Sequence, residues 1–138
     1  MIREANNEDT YALEEIFLIT RQNTFIHTPS DNFKIGDYKK STEGEEVWLS
    51  EENGNIIGFI SLWLPDNFIH NLFVHPNCQG RGIGKELLIK AEERLSRPIE
   101  LKVRIDNQNA CIFYKKHGYK KISTHENEPE SYMLFRKN

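Results

Sequence analysis

The spacing of apolar residues in the first third of the chain predicts one strand and one long helix. A short strand is expected near residues 1–4, and Asn6 or Asn7 can cap the helix that follows it. The apolar face of that helix is formed by four side chains at the 3.6-residue period, Leu13, Ile16, Phe17 and Thr20. Residues 25–45 are polar and follow no regular pattern, and they indicate no more than a second short helix.

Strand-like runs occupy the middle of the chain. Residues 47–49 and 56–63 flank Asn53-Gly54, a dipeptide typical of two-residue hairpin turns, so we expect an antiparallel pair. Residues 68–74 predict another strand, which His75-Pro76 ends. This strand leads directly into a glycine-rich turn.

A helix and a strand follow the glycine-rich turn. The helix ends before Pro98 and has apolar residues along one face, Ile83, Leu87, Leu88, Ala91 and Leu95. Residues 99–103 then alternate between apolar and polar, as a strand does. A strand, a crossover helix and a second strand in this order indicate a parallel pair within a mixed α/β sheet.

The carboxyl-terminal part predicts one short helix and two strands. Asp106 or Asn107 can cap the helix, and Gly118 suits its left-handed end. One face of this helix carries Ala110, Phe113, Tyr114 and His117. Residues 119–123 and 132–135 are expected to pair around an acidic loop, 126–130.

Length and charge narrow the class of protein. The 138 residues fit one domain, and 18 Lys and Arg against 21 Asp and Glu give a net charge of −3. This balance offers no general attraction for nucleic acid or an anionic membrane. The start of the chain has no apolar stretch with a cleavage site, so we expect a cytoplasmic protein. Cys78 and Cys111 lack the spacing of metal ligands, which predicts unpaired thiols and no bound metal.

The glycine-rich turn has the composition of a phosphate-binding loop. It follows a strand and opens a helix, and it reads Gln79, Gly80, Arg81, Gly82, Ile83, Gly84 and Lys85. Backbone amides that converge at the start of a helix bind phosphate, and the two cationic side chains add charge. Glu86 replaces the Ser or Thr of a Walker loop, and neither register of the dinucleotide fingerprint has its third glycine.

The pattern that fits is Gln79-x-x-Gly82-x-Gly84, which resembles the coenzyme A pyrophosphate loop of the GCN5-related N-acetyltransferase (GNAT) superfamily. Leu72, Phe73 and Val74 precede the loop as in that family, and the series that follows has the family's spacing, Asn107-x-x-Ala110-x-x-x-Tyr114-x-x-x-Gly118-Tyr119. The resemblance implies a single α/β domain over residues 1–138. Its sheet would be mixed and mostly antiparallel, with six or seven strands, flanking helices and one parallel central pair.

The resemblance also implies a reaction: acetyl-CoA donates its acetyl group directly to a primary amine of a small molecule or a protein. Residues 79–85 would hold the pyrophosphate, Asn107 the pantetheine arm, and Tyr114 would protonate the departing thiolate. A bulge within residues 72–74 would aim the backbone amides of Phe73 and Val74 at the thioester oxygen.

The general base is left open by the sequence. Relatives that use a carboxylate as the general base have it at the positions of Lys102 or Phe68 in this chain. His70 is one candidate, since the ordinary pKa of imidazole, about 6.5, suits proton removal. A chain of waters with no single base is the other.

Residues from the first helices and the end of the chain are implied to shape the acceptor side, namely Phe25, His27, Phe33, Trp63 and Tyr132. Nothing in the sequence identifies the acceptor amine. A non-catalytic domain that binds or senses acyl-CoA is the alternative, because the familiar carboxylates are absent. The strands near the carboxyl terminus leave a homodimer open.

Overall fold

A twisted mixed sheet organises the chain. The computed structural model describes residues 1–126 and 130–138. In these residues the sheet has seven strands in the order β1-β2-β3-β4-β5-β7-β6. The strands are β1 (Ile2–Glu4), β2 (Glu46–Glu52), β3 (Asn55–Trp63), β4 (Phe68–Val74), β5 (Ile99–Arg104), β6 (Lys120–His125) and β7 (Tyr132–Lys137). The helices are α1 (Thr10–Thr24), α2 (Asp37–Ser41), α3 (Ile83–Arg94) and α4 (Gln108–Lys116).

One pair of neighbouring strands is parallel, and the other pairs are antiparallel. The parallel pair is β4 with β5, and α3 makes the crossover between them. The β2–β3 hairpin turns at Asn53 and Gly54, whose φ angles of 53° and 80° lie in the left-handed region. These observations confirm the predicted fold class, the hairpin and the parallel central pair.

Helices cover both faces of the sheet. Successive residues of a strand point to opposite faces, and β3 shows this alternation. Phe59 packs in a cluster with Phe17 of α1 and Tyr38 of α2, whereas Ile60 packs in the cluster that contains Leu87 of α3. Full burial of one such side chain contributes about 2 kcal/mol. The two clusters fix α1 and α3 on opposite sides of the central strands.

The segment 25–45, whose pattern was least informative, is held by a buried carboxylate. Glu14 of α1 is 5% exposed, and its Oε1 accepts hydrogen bonds from the amides of Gly36 (2.8 Å) and Tyr38 (3.0 Å). Its Oε2 accepts one from the amide of Lys39 at 3.1 Å. The first turn of α2 is therefore capped by a side chain from another helix. The expected second helix is present as α2, which is five residues long.

Smaller departures from the expected elements occur at both ends. Asn6 caps a short 3₁₀ turn, Asn7–Asp9, and α1 begins after that turn at Thr10. Both carboxyl-terminal strands are present: β6 begins one residue later and ends two residues later than predicted, and β7 extends two residues beyond its predicted end. Residues 127–129 of the predicted acidic loop lie outside the described residues. No helix in the described ranges is long and apolar enough to cross a membrane.

Candidate active site

The parallel strands β4 and β5 separate soon after they meet, and a cavity lies between them. Their pairing consists of Phe68 with Glu100 and Ile69 with Leu101. Beyond Ile69, β4 continues along β3 alone, and β5 continues along β7. We call this opening the wedge. A cavity of about 580 Å³ in it is lined by residues of α1, β4, β5 and α4.

The glycine loop follows β4 and presents a run of backbone amides. Gly80 and Gly82 have φ angles of 80° and 82°, a region that non-glycine residues rarely adopt. Within the part of the chain that the structure describes, no acceptor takes the amide hydrogens of residues 80–85. Six consecutive amides at the start of α3 are therefore available to an anion.

The side chains of the loop have separate contacts. Gln79 donates from Nε2 to the carbonyl of Val74 at 3.1 Å and so braces the turn. Arg81 forms a salt bridge with Glu52 of the hairpin, which raises the pKa of the guanidinium. Both partners are about half exposed, so this ion pair is weak and an anionic ligand can displace it. Lys85 is exposed, and Ile83 is buried in the core.

Gly84 has a packing role in addition to any contact with a ligand. A Cβ atom at this position would lie 3.4 Å from the ring of Phe113 on α4. This is a van der Waals contact, so a methyl group would just fit and a larger side chain would press against the Phe113 ring. Residue 84 therefore lies at a contact between α3 and α4.

The β-bulge predicted within residues 72–74 is not there. Leu72, Phe73 and Val74 pair regularly with β3. The register shifts two residues earlier: Asn71 pairs with Ser61, and Ile69 pairs with the next residue of β3, so His70 is the extra residue. Bulges bend a strand and increase its twist, and this bulge lies where β4 leaves β5. Beyond Ile69, the side of β4 that faces the wedge has no strand partner in residues 1–126 and 130–138.

The bulge brings His70 and Asn71 to the same segment of the chain. Consecutive strand residues normally point to opposite faces, but here both side chains contact residues that lie before β2. His70 Nδ1 lies 2.7 Å from Oε2 of Glu45. Asn71 donates to the hydroxyl oxygens of Ser41 (3.2 Å) and Ser61 (2.9 Å). The His70 ring also lines the cavity and is 42% exposed.

Tyr114 lies on the other side of the cavity, on α4. The residue is 7% exposed, and burial raises the pKa of its hydroxyl well above the ordinary value. The hydroxyl therefore keeps its proton at neutral pH. It has no hydrogen-bond partner among the described residues. Asn107 also lines the cavity, and its Oδ1 accepts from the amide of Ala110 at 3.2 Å, which caps α4 as predicted.

The acceptor end of the cavity is aromatic and carries cations. Of the aromatic residues expected there, Phe25, Phe33 and Tyr132 line the cavity, whereas His27 and Trp63 do not. Three cationic residues that the sequence analysis did not place there also line it, each with its charged group over a ring: Arg21 over Phe17, Arg104 over Phe25 and Lys102 over Tyr132. The contacts of Lys102 with Tyr132 and of Arg104 with Phe25 join residues far apart in the chain, whereas Arg21 and Phe17 lie one turn apart on α1.

Comparison with known proteins agrees with this geometry. The model of the Acetyltransferase (GNAT) family matches residues 10–119. The peptidyl-lysine N-acetyltransferase YiaC of Escherichia coli is 36% identical over 128 residues, which cover 86% of this chain and 82% of the relative. An uncharacterised N-acetyltransferase of Methanocaldococcus jannaschii is 36% identical over 94 residues, and the match spans only 41% of that relative.

Solved structures share the fold. The crystal structure of the PaiA N-acetyltransferase of Thermoplasma acidophilum in complex with coenzyme A has a TM-score of 0.80 and 20% sequence identity. The match covers 100% of this chain and 98% of that chain. The protein belongs to the GNAT acetyltransferase family.

Proposed function

We propose that the protein transfers the acetyl group of acetyl-CoA directly to a primary amine of a small molecule or a protein. The observation that carries the proposal is the wedge between β4 and β5. Strand β4 lines this cavity together with a tyrosine and a histidine, and β4 leads into the glycine loop with its unpaired amides. A donor with a diphosphate at one end and a thioester at the other fits this arrangement.

The residues of the donor side suit coenzyme A. The amides of residues 80–85 and the side chains of Arg81 and Lys85 would hold the diphosphate. Leu72, Phe73 and Asn107 line the path along which a pantetheine arm would lie. When bound, acetyl-CoA supplies an activated carbonyl group for attack by an amine. The backbone amide of Val74 would stabilise negative charge on that oxygen, because consecutive amides of a strand point to opposite edges and the amide of His75 donates to Ile57 of β3. By the same alternation, the amide of Phe73 faces β3.

Two side chains would move the protons. Tyr114 keeps its hydroxyl proton at neutral pH and can donate it to the departing sulfur atom. His70 can take a proton from the ammonium form of the acceptor, either directly or through water. Neither cysteine of the chain lines the cavity, and burial raises the pKa of the Cys111 thiol. A direct transfer without a covalent enzyme intermediate is therefore the mechanism that we propose.

An acetylation assay tests the proposal. Release of free thiol from acetyl-CoA is followed over a panel of primary amines that includes free amino acids, polyamines and lysine-containing peptides, and each product is weighed by mass spectrometry. We expect thiol release and a mass increase of one acetyl group with at least one class of amine.

A calorimetric titration with coenzyme A completes that test. Binding without turnover on any amine would favour a domain that senses acyl-CoA. The absence of binding would contradict both functions. ATP serves as the control ligand, since a general phosphate-binding loop would bind it equally well.

A further inference from the structure

Glu45 is a buried carboxylate next to the cavity. It precedes β2, and its side chain is 7% exposed, whereas the ring of His70 is 42% exposed. Glu45 Oε2 lies 2.7 Å from His70 Nδ1, within strong hydrogen-bond distance. The pair thus links the Glu45 carboxylate, which is shielded from water, to the His70 ring, which can contact a ligand.

The second oxygen of this carboxylate is unsatisfied. Glu45 Oε1 is buried and has no hydrogen-bond partner in the part of the chain that the structure describes. Leaving a buried charged oxygen without a partner costs free energy, so such an atom calls for an explanation. A neighbouring positive charge that forms during function would offset the cost, and the imidazole of His70 is the group placed to acquire one.

The surroundings hold the pair in place. Asn71, the residue after His70, donates to Ser41 at the end of α2 and to Ser61 on β3. Ser61 is 0% exposed, and both hydrogen bonds are partly buried. They join the bulged strand to the segment that carries Glu45. The carboxylate and the ring therefore meet in a fixed arrangement.

We propose that Glu45 is a positioning residue for His70. Its carboxylate accepts the Nδ1 hydrogen, which leaves Nε2 as the unprotonated ring nitrogen. During transfer an N–H bond of the acceptor ammonium breaks and an Nε2–H bond forms, and the negative charge of Glu45 stabilises the resulting imidazolium until the proton leaves to solvent. A carboxylate behind a catalytic histidine acts in the same way in other enzymes. This inference rests on the proposed function.

The kinetic test replaces Glu45 by glutamine. Glu45→Gln keeps the shape of the side chain and removes its charge, and we expect kcat to fall about tenfold or more while KM for acetyl-CoA stays unchanged. Glu8→Gln is the same change at an exposed position of the 3₁₀ turn before α1, and this control should leave kcat unchanged. The double variant Glu45→Gln, His70→Gln should be as slow as His70→Gln alone, because both changes disable one unit. An unchanged kcat in Glu45→Gln, or additive losses in the double variant, would overturn the assignment.

A spectroscopic test needs no turnover. Nitrogen-15 NMR of the imidazole rings in alkaline solution identifies the protonated nitrogen, and His70→Gln assigns the signals of His70. We expect His70 to carry its proton on Nδ1, and to become a mixture of both forms in Glu45→Gln. A proton on Nε2 in the unaltered protein would refute the role of Glu45 whatever the enzyme does. If the protein acetylates no amine but shows the expected form, only the proposed function fails.

Discussion

The donor side and the acceptor side of the wedge are built by different means. On the proposed donor side, residues 79–85 form a loop whose shape depends on local glycine conformations and whose proposed binding groups are its own amides. On the acceptor side, the segment 25–45 is held by side chains from elsewhere: Glu14 caps α2, and Arg21 forms a salt bridge with Asp37. A region that binds through its own backbone is visible in a short stretch of sequence, whereas a region fixed by distant side chains is not.

The largest effect on stability is expected at the acceptor side. Glu14→Ala leaves three amides of the α2 region without their acceptor, so the free energy of unfolding should fall by about 3 kcal/mol and Tm by about 10 °C. Thermal and urea unfolding measure both quantities. The control is Glu15→Ala, an exposed neighbour on α1, which should stay within about 0.5 kcal/mol of the unaltered protein. Equal losses in the two variants would show that α2 does not depend on this carboxylate.

Between the two sides, Tyr114 should govern rate and not binding. Tyr114→Phe removes only a hydroxyl, which has no partner in the described residues. Because the departing sulfur atom would then lack its proton donor, kcat should fall about 100-fold. Stability and coenzyme A affinity should change little. Steady-state kinetics and calorimetry separate these outcomes, and Tyr11→Phe at an exposed position of α1 is the control for losing a tyrosine hydroxyl. Unchanged turnover in Tyr114→Phe would remove its role as the acid.

A smaller effect is expected when the same substitution is made on each side. Gly82 and Gly36 both have left-handed φ angles, 82° and 105°, and an added Cβ would meet no atom within 4 Å at either. Valine is strained at both positions by about 1–2 kcal/mol. Gly82→Val should also turn the loop amides away and raise the dissociation constant of coenzyme A about tenfold. Gly36→Val should leave that constant unchanged, and similar affinities in the two variants would contradict binding by the loop.

The smallest effect concerns the anchor of α1 to the sheet, and it depends on pH. Hydrogen bonds from Arg3 hold the pKa of Asp9 below its ordinary value, and Arg3 also contacts Glu51 of β2. Because the folded-state pKa is the lower one, Asp9 contributes stability above its unfolded pKa of about 3.9 and loses it as pH falls further. Asp9→Asn should therefore unfold at a lower urea concentration than the unaltered protein at pH near 7, and the two should converge in acid. A difference that is the same at every pH would mean that charge is not involved.

Much of the donor side could be predicted from the sequence because its signals are local. The glycine loop, the start of α3, the cap at Asn107 and the Asn53-Gly54 hairpin each follow from the conformational preferences of adjacent residues. Gly84 is a partial exception, because its contact with Phe113 depends on how α3 and α4 pack.

The features that could not be predicted depend on residues distant in the chain. Glu45 and His70 are separated by 25 positions, and their hydrogen bond requires the bulge on β4. A bulge adds one residue without changing the apolar pattern of residues 68–74, and its predicted place, which rests on the family resemblance, is two residues too late. The cations at the acceptor end were missed for a related reason, since Arg104 meets Phe25 only after the sheet has formed.

Because β4 and β5 pair over a short length, the sheet consists of two groups of strands that are joined at one narrow point. Among the described residues, two residue pairs of the β4–β5 ladder join strands β1 to β4 to strands β5 to β7. An extended ligand bound in the gap would contact both β4 and β5 and would hold the two groups of strands together. At a concentration a hundredfold above its dissociation constant, such a molecule would add about 2.7 kcal/mol to the stability of the native state. The ligand would then be a structural member of the protein for as long as it stays bound.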